Sequence, residues 1–349
     1  MSASVLTRHP SLFLRRTSWQ GKIKQLKTLD LCYSGVRDGH VSRLVELPAL
    51  EELNLGSCPC GDWTIAHLAD NKVIPNLTSL DLADTDLSDL GMAHLPKFEN
   101  LTRLSLFFCN ITNAGLCHLA GMSNLEVLNL DSREIGDEGL SHLRTLTKLR
   151  SLDVFSGRVT DDGCVHLSHI KSLESLELCG GGIGDRGCAY LAVLENLKSL
   201  NLSQNERISN RGVAALAALS NLKALNLSNT RANSAALKFL SGLVNLQSLA
   251  MYGCREMDDK NCLVDFQDRL PALKCFRLSK GNSSNDGIIS PSDDDNDDQD
   301  DHDDEIDQDM EAVFEPRERD QITSTGNDEM DEDDNSVMAN ESDYSSDHD

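Results

Sequence analysis

Along residues 26 to 278, leucine recurs in the pattern Leu-x-x-Leu-x-Leu, with Val, Met or Phe standing in at some positions. The pattern starts at Leu26, Leu50, Leu77, Leu101, Leu125, Leu149, Leu173, Leu197, Leu222, Leu246 and Leu273, and seven of the ten intervals are 24 residues. Its last three positions alternate apolar and polar, the two-residue period of a strand with one buried face. A second half follows in each unit, as in Ile111-Thr112-Asn113-Ala114-Gly115-Leu116-Cys117-His118-Leu119 and Ile135-Gly136-Asp137-Glu138-Gly139-Leu140-Ser141-His142-Leu143. There Thr, Asp or Asn is placed to cap a helix, and Leu-x-x-Leu puts apolar side chains on one helical face. Each unit therefore predicts a strand, a turn and a helix.

One such unit cannot bury its own leucines, but stacked units share a continuous core. The expected architecture is an α/β solenoid, or horseshoe, of ten to eleven repeats, with a parallel β-sheet on the concave face and helices on the convex face. Residues 26–278 form the repeat domain, 1–25 an N-terminal cap or basic leader, and 279–349 a tail. Leu12 to Trp19 would protect the first repeat, while Lys274 and Arg277 on the last strand discourage edge-to-edge pairing.

Charge divides the chain more sharply than length does. Residues 281–349 hold 27 acidic side chains against Arg317 and Arg319, so they carry the whole formal charge of −25. Runs such as Asp293-Asp294-Asp295 and Asp331-Glu332-Asp333-Asp334 repel themselves and bury little apolar surface, which predicts a disordered tail. No apolar stretch nears the roughly 20 residues of a membrane span. The first 29 residues carry Arg8, Arg15, Arg16, Lys22, Lys24 and Lys27 and no acid, a composition compatible with a mitochondrial transit peptide as well as with a basic cap. Leu12, Phe13 and Leu14 are too few for the core of a secretory signal. Eleven cysteines, an odd number, predict reduced thiols and a cytoplasmic or nuclear location.

Chemistry-bearing motifs yield to the repeat. Gly182-x-Gly184-x-x-Gly187 has the spacing of a dinucleotide fingerprint, but its last glycine is in register with Gly115, Gly139 and Gly163, and Asn201 and Ser203 stand where an acidic ribose partner belongs. His67, His94, His118, His142 and His166 share one register on successive helices, roughly 8 to 10 Å apart, too far for a common metal ion unless the side chains converge. Cys32, Cys58, Cys109, Cys179 and Cys254 follow the strand, where small buried side chains suit tight stacking. Cys58-Pro59-Cys60 is the only close pair and no Cys-x-x-Cys occurs. The sequence thus predicts no catalytic constellation, no cofactor and no metal.

Function is expected on the outward strand positions, since every second side chain faces the open side of the sheet. These include Arg103, Ser105 and Phe107; Val127, Asn129 and Asp131; Ser151, Asp153 and Phe155; and Ser175, Glu177 and Cys179. Phe107 and Phe155 would flank Asp131 across about 10 Å, aromatic anchors among carboxylates. Arg103, Phe107, Asp131, Asp153, Phe155 and Glu177 are the predicted partner-binding residues of a monomer that binds proteins and neither nucleic acid nor membrane. The acidic tail would attract basic proteins, and Ser290, Ser292 and Ser346, each with Asp three residues on, resemble acidophilic kinase sites.

The Leu-x-x-Leu-x-Leu units resemble the leucine-rich-repeat superfamily. Segments such as Leu176-Glu177-Leu178-Cys179-Gly180-Gly181-Gly182 and Leu200-Asn201-Leu202-Ser203-Gln204-Asn205 are similar to its cysteine-containing type. That type is familiar from plant-like F-box and leucine-rich-repeat proteins, although no F-box is recognised ahead of Leu26. The resemblance implies a non-enzymatic scaffold, with substrate recognition in SCF-type ubiquitin-dependent degradation as one role. Ran GTPase-activating proteins also look like about eleven such repeats with an acidic tail, but their units run nearer 28 or 29 residues. An acidic binder of histones or other basic proteins is a further alternative.

Overall fold

The computed structural model describes residues 24–41, 47–70, 72–130, 134–155, 158–257 and 260–278, without side chains at 260–262. All lie in the first of the chain's two units, Met1–Pro316. Residues 1–23 of the predicted leader, the predicted tail, Asp131, Ser290, Ser292 and Ser346 lie outside the described residues.

Eleven short strands pair in chain order in one sheet: β1 (Thr28–Asp30), β2 (Glu52–Asn54), β3 (Ser79–Asp81), β4 (Arg103–Ser105), β5 (Val127–Asn129), β6 (Ser151–Asp153), β7 (Ser175–Glu177), β8 (Ser199–Asn201), β9 (Ala224–Asn226), β10 (Ser248–Ala250) and β11 (Cys275–Arg277). Every pairing is parallel and in register, as where Leu128 lies against Leu152 and Leu152 against Leu176. The central residue of each strand, from Leu29 to Phe276, is buried. Behind it stand the leucines of the second half, among them Leu116, Leu140, Leu167, Leu191 and Leu216, in the same continuous core. The chain is an α/β solenoid whose period is the spacing of its leucines.

The second halves are less uniformly helical than the sequence predicts. Asp62–Asp70, Asp161–Leu167, Asp185–Leu191 and Asn210–Leu216 are α-helices, whereas Gly115–Gly121, Leu95–Lys97 and Ser141–Thr145 are 3₁₀. A 3₁₀ turn rises about 2.0 Å per residue against about 1.5 Å in an α-helix, so it spans the back of a 24-residue unit with fewer residues. Pro96 opens one such turn and glycines bound another.

The aspartate at the head of each second half has a role that the sequence misassigns. It is the first helical residue, and the cap is the residue before it: Ser88, Thr160 and Ser209 accept from Leu90, Asp162 and Arg211 N–H. The aspartate reaches one repeat onward instead. Asp185 accepts from Ser209 N–H (2.8 Å), Ser209 Oγ (2.7 Å) and Gly212 N–H (2.8 Å). Asp62, Asp89 and Asp137 hold the amide and hydroxyl of Ser88, Thr112 and Thr160 in the same way. Asn113 and Asn210 continue the ladder to Gly136 and Asn233. Each rung places an acceptor at the amide-rich start of the next repeat's helix, a charge-assisted bond where the acceptor is a carboxylate.

That rung explains the Asp-x-Gly spacing. A Cβ on Gly212 would lie 2.7 Å from Asp185 Oδ1, and one on Gly187 2.7 Å from Asp161 Oδ1. The glycine leaves room for the neighbour's carboxylate and, at Gly187, also for Ile183 Cγ2, which a Cβ would meet at 2.6 Å.

A second ladder uses thiols and a side-chain amide as donors. Cys58 Sγ donates to Leu31 O (3.0 Å), Cys109 Sγ to Leu82 O (3.0 Å) and Cys254 Sγ to Leu227 O (3.1 Å), each one repeat back. Asn205 Nδ2 does the same to Leu178 O at 2.8 Å. Burial pushes the thiols of Cys60 and Cys188 up to about 12, that of Cys32 up to about 11, and those of Cys109, Cys164, Cys179 and Cys254 in the same direction.

Two outcomes test the ladders. Asp185→Ala should lower unfolding free energy by about 1.5–3 kcal/mol, since it strands two backbone amides. Gly212→Ala should cost about 1–3 kcal/mol in the native background, despite alanine's helical advantage, and markedly less in Asp185→Ala. A double-mutant cycle by chemical denaturation measures that coupling, and additivity would remove the steric explanation. In native protein at mildly alkaline pH, exposed Cys117 should react with a maleimide on the order of 100-fold faster than Cys60, Cys164 or Cys188; peptide mass mapping reads the order, and equal rates would contradict the burial.

Candidate functional site

The outward sheet face is built from the first and third residue of every strand. Much of its third column is structural. Asp30, Asn54, Asp81, Asn201 and Asn226 each accept, at 2.8 to 3.0 Å, from the amide two residues on, and so fix the turn that ends their strand. Five acidic side chains (Asp30, Glu52, Asp81, Asp153, Glu177) stand on this face across β1–β7 against Arg103 alone, whereas Arg277 is the one charged residue across β8–β11.

The predicted site residues that are described fall on β4, on the paired strands β6 and β7, and on the loops after β4 and β6. Arg103 reaches across β3 to Glu52 (2.8 Å) and touches Ser79 Oγ (3.3 Å), so its guanidinium lies flat along the sheet in an exposed ion pair. Asp153 accepts from Asn129 Nδ2 at 3.3 Å. Glu177 is half-buried, with Cys179 Sγ 3.9 Å from its Oε2. Phe155 is 48% exposed. Phe107 is half-buried and meets Phe108 edge-on, with centroids 4.6 Å apart at 63°.

Strict alternation fails on β9 and β10, where the outward Ala224, Asn226, Ser248 and Ala250 are buried as well, and at one position past β7. Cys179 is buried, 5% exposed, because β7 ends at Glu177 and the chain turns inward; the thiol then accepts from Ser203 Oγ at 3.3 Å.

Phe108 is the residue the sequence reading missed. It is 57% exposed and sits at φ +55°, the left-handed position of the turn after the strand. Other repeats place Asp84, Gln204, Asn229, Gly180 or Gly253 there, mostly residue types that tolerate that region. A non-glycine residue in this conformation costs roughly 1–2 kcal/mol, and the bulky ring there stays more than half exposed. Tyr33, 82% exposed at φ +56°, repeats the arrangement near the first strand. The signal was legible in principle, as an aromatic at a turn position where small or polar residues serve.

Nearby polar chemistry is paired. Glu174 bridges Lys198 (2.5 Å) and Arg150 (2.6 Å), whose hydrogen bonds hold its carboxyl below the ordinary range. The amides of Gly184 and Gly187 donate to Asp161 Oδ1 at 2.7 and 2.8 Å, so the glycine motif's anion-binding groups are filled by the preceding repeat. Along the histidine column, Trp63 stacks on His67 with centroids 4.9 Å apart, and His94 lies 3.1 Å from Asp70, which Lys97 also engages. Among the described residues no three His, Cys, Asp or Glu side chains form a group able to hold a metal ion, and no helix is long and apolar enough to cross a membrane.

Comparison with known proteins agrees with this geometry. The family described as Leucine Rich repeat matches residues 73–95, 99–120, 121–143, 145–168 and 193–217. No curated protein matches the chain. Among solved structures, internalin C2 from Listeria monocytogenes is similar at 28% identity and TM-score 0.50, over 60% of this chain and 84% of that one. A second internalin from the same organism shares the fold at 21% identity and TM-score 0.52, over 75% and 82% of the two chains. With in-register parallel strands, a shared leucine core and five segments that match the Leucine Rich repeat family, the chain carries leucine-rich repeats stacked in the solenoid architecture of a protein-interaction scaffold.

Proposed function

We propose that this scaffold recognises a partner protein through the outward face of β4–β7 and the loops that follow those strands, in a non-enzymatic role. The observation that carries the reading is Phe108, a ring held in solvent in a costly backbone conformation, with Phe107 against its edge and Phe155 exposed two strands away. Aromatic anchors surrounded by polar groups are the usual centre of a protein interface. The acids beside them, Asp153 and Glu177, favour a segment that combines apolar and cationic side chains. Within this role, substrate recognition for SCF-type ubiquitin-dependent degradation is the specific assignment that the cysteine-containing repeat resemblance supports, and co-purification with a Skp1-like adaptor is its direct check.

Affinity purification from cells should compare the full chain with the Phe107→Ala, Phe108→Ala, Phe155→Ala variant, after circular dichroism shows both folded. Loss of the aromatic anchors should weaken capture of the specific partner about 10- to 100-fold. Undiminished capture would move the site off this face.

A further inference from the structure

The repeats are polarised along the chain. Residues 30–197 hold 24 acidic and 12 basic side chains, whereas residues 198–278 hold 6 acidic and 11 basic. Part of that basic excess is aligned. One position after each strand, in the loop leading to the second half, reads Asp86, Asn110, Glu134, Arg158, Gly182, Arg207, Arg231 and Arg255 from repeat to repeat. Backbone bonds keep these loops side by side, with Gly182 N–H donating to Val159 O (2.8 Å) and Arg231 N–H to Ile208 O (2.8 Å).

Within this column, opposite charges on adjacent repeats pair: Arg158 lies 2.7 Å from Glu134. The last three members have no such neighbour. Arg207, Arg231 and Arg255 are exposed, on consecutive rungs, and none makes an ion pair among the described residues; Arg207 donates only to Gly182 O at 3.2 Å. Glu256, beside Arg255, is engaged by Asn233 Nδ2 at 3.0 Å. Like charges on adjacent rungs repel, so an anionic segment laid along the column would relieve that repulsion.

The chain carries a matching counter-charge next to it. Leu278 follows β11 at the strand end that in the preceding repeat leads to Arg255. Residues 293–311 contain 13 acidic side chains and no Lys or Arg. The 15 residues from Leu278 to Asp293 give a coil span of about 20 Å, against about 14 Å for three strand spacings. A tethered segment at that reach acts at an effective concentration near the millimolar range.

We infer that the acidic segment 293–311 docks in cis on the Arg207–Arg231–Arg255 column, completing with its carboxylates the pairing that Glu134 supplies to Arg158. The outward sheet face at β4–β7, which is itself acidic, is left open.

Arginine modification of the full chain by phenylglyoxal, read by peptide mass mapping, tests the inference. The comparison is with a full-length variant carrying Asp293→Asn, Asp294→Asn, Asp295→Asn, Asp297→Asn and Asp298→Asn, changes outside the repeat fold. Arg231 and Arg255 should react about fivefold faster in the variant, and similarly faster in the native chain at about 0.5 M salt, where the Debye length falls to a few ångströms. Exposed Arg37 should react at the same rate in both chains. Equal rates for Arg231 and Arg255 in the two chains would overturn the docking. Protection that disappears on about fifty-fold dilution would overturn docking in cis and identify the tail of a second copy as the occupant, because a tethered segment's local concentration does not change with dilution.

Discussion

The bond from one repeat's leading aspartate to the next repeat's helix start is the constraint on which the remaining geometry depends. Burial of leucines favours stacking but is indifferent to register, because apolar contact has no direction. The carboxylate does have direction. Asp185 must meet the Ser209 amide, the Ser209 hydroxyl and the Gly212 amide at once, and only one offset between consecutive repeats allows it. The glycine follows from the carboxylate, the fixed distance between turn and helix follows from both, and the in-register sheet on the other face is the consequence. Where the acceptor is Asn113 or Asn210 the rung persists with a neutral oxygen, so the ladder tolerates loss of charge but keeps its acceptor. The thiol and amide donors of Cys58, Cys109 and Asn205 close the other side of each unit against the preceding repeat's carbonyls.

The architecture was legible because its cause is periodic. Leucine spacing alone located all eleven strands, and the two-residue alternation placed Leu104, Leu128 and Leu152 inside and Arg103, Asp153 and Glu177 outside. What escaped was every feature set by a neighbouring repeat. Asp137 looks like a local cap, since sequence distance hides that its partner is Thr160. Cys179 looks outward, since alternation continues on paper past the point at which a three-residue strand ends. Phe108 escaped for a third reason: a left-handed turn is a backbone property, and the side chain there advertises it only when it is glycine, asparagine or aspartate.

The same logic separates scaffold from site. Asp30, Asn54, Asp81, Asn201 and Asn226 resemble a recognition stripe in the sequence, yet their oxygens are committed to the turn two residues ahead. Arg103 is committed to Glu52. Exposed aromatics after β1, β4 and β6 are not committed in this way, and the energetic asymmetry favours those in the pair of loops after β4 and β6 as anchors. A ring in solvent forfeits apolar burial worth about 25 cal/mol per Å², and covering it with a partner recovers that term, whereas rim carboxylates contribute mainly orientation and encounter rate.

Charge then divides the labour along the solenoid. A basic partner of the kind proposed would be drawn toward the acidic repeats that hold Phe107, Phe108 and Phe155, but the column of Arg207, Arg231 and Arg255 would repel the same partner and attract polyanions instead. With the acidic segment seated on that column, that repulsion would be cancelled. Screening limits each charge to a reach of about 8 Å at physiological ionic strength, so a carboxylate changes the potential of the repeats only where it is held close to them. Docking in cis would therefore act mainly on the repeats after β7 that carry the arginine column, and leave β4–β7 to the charges of their own strands.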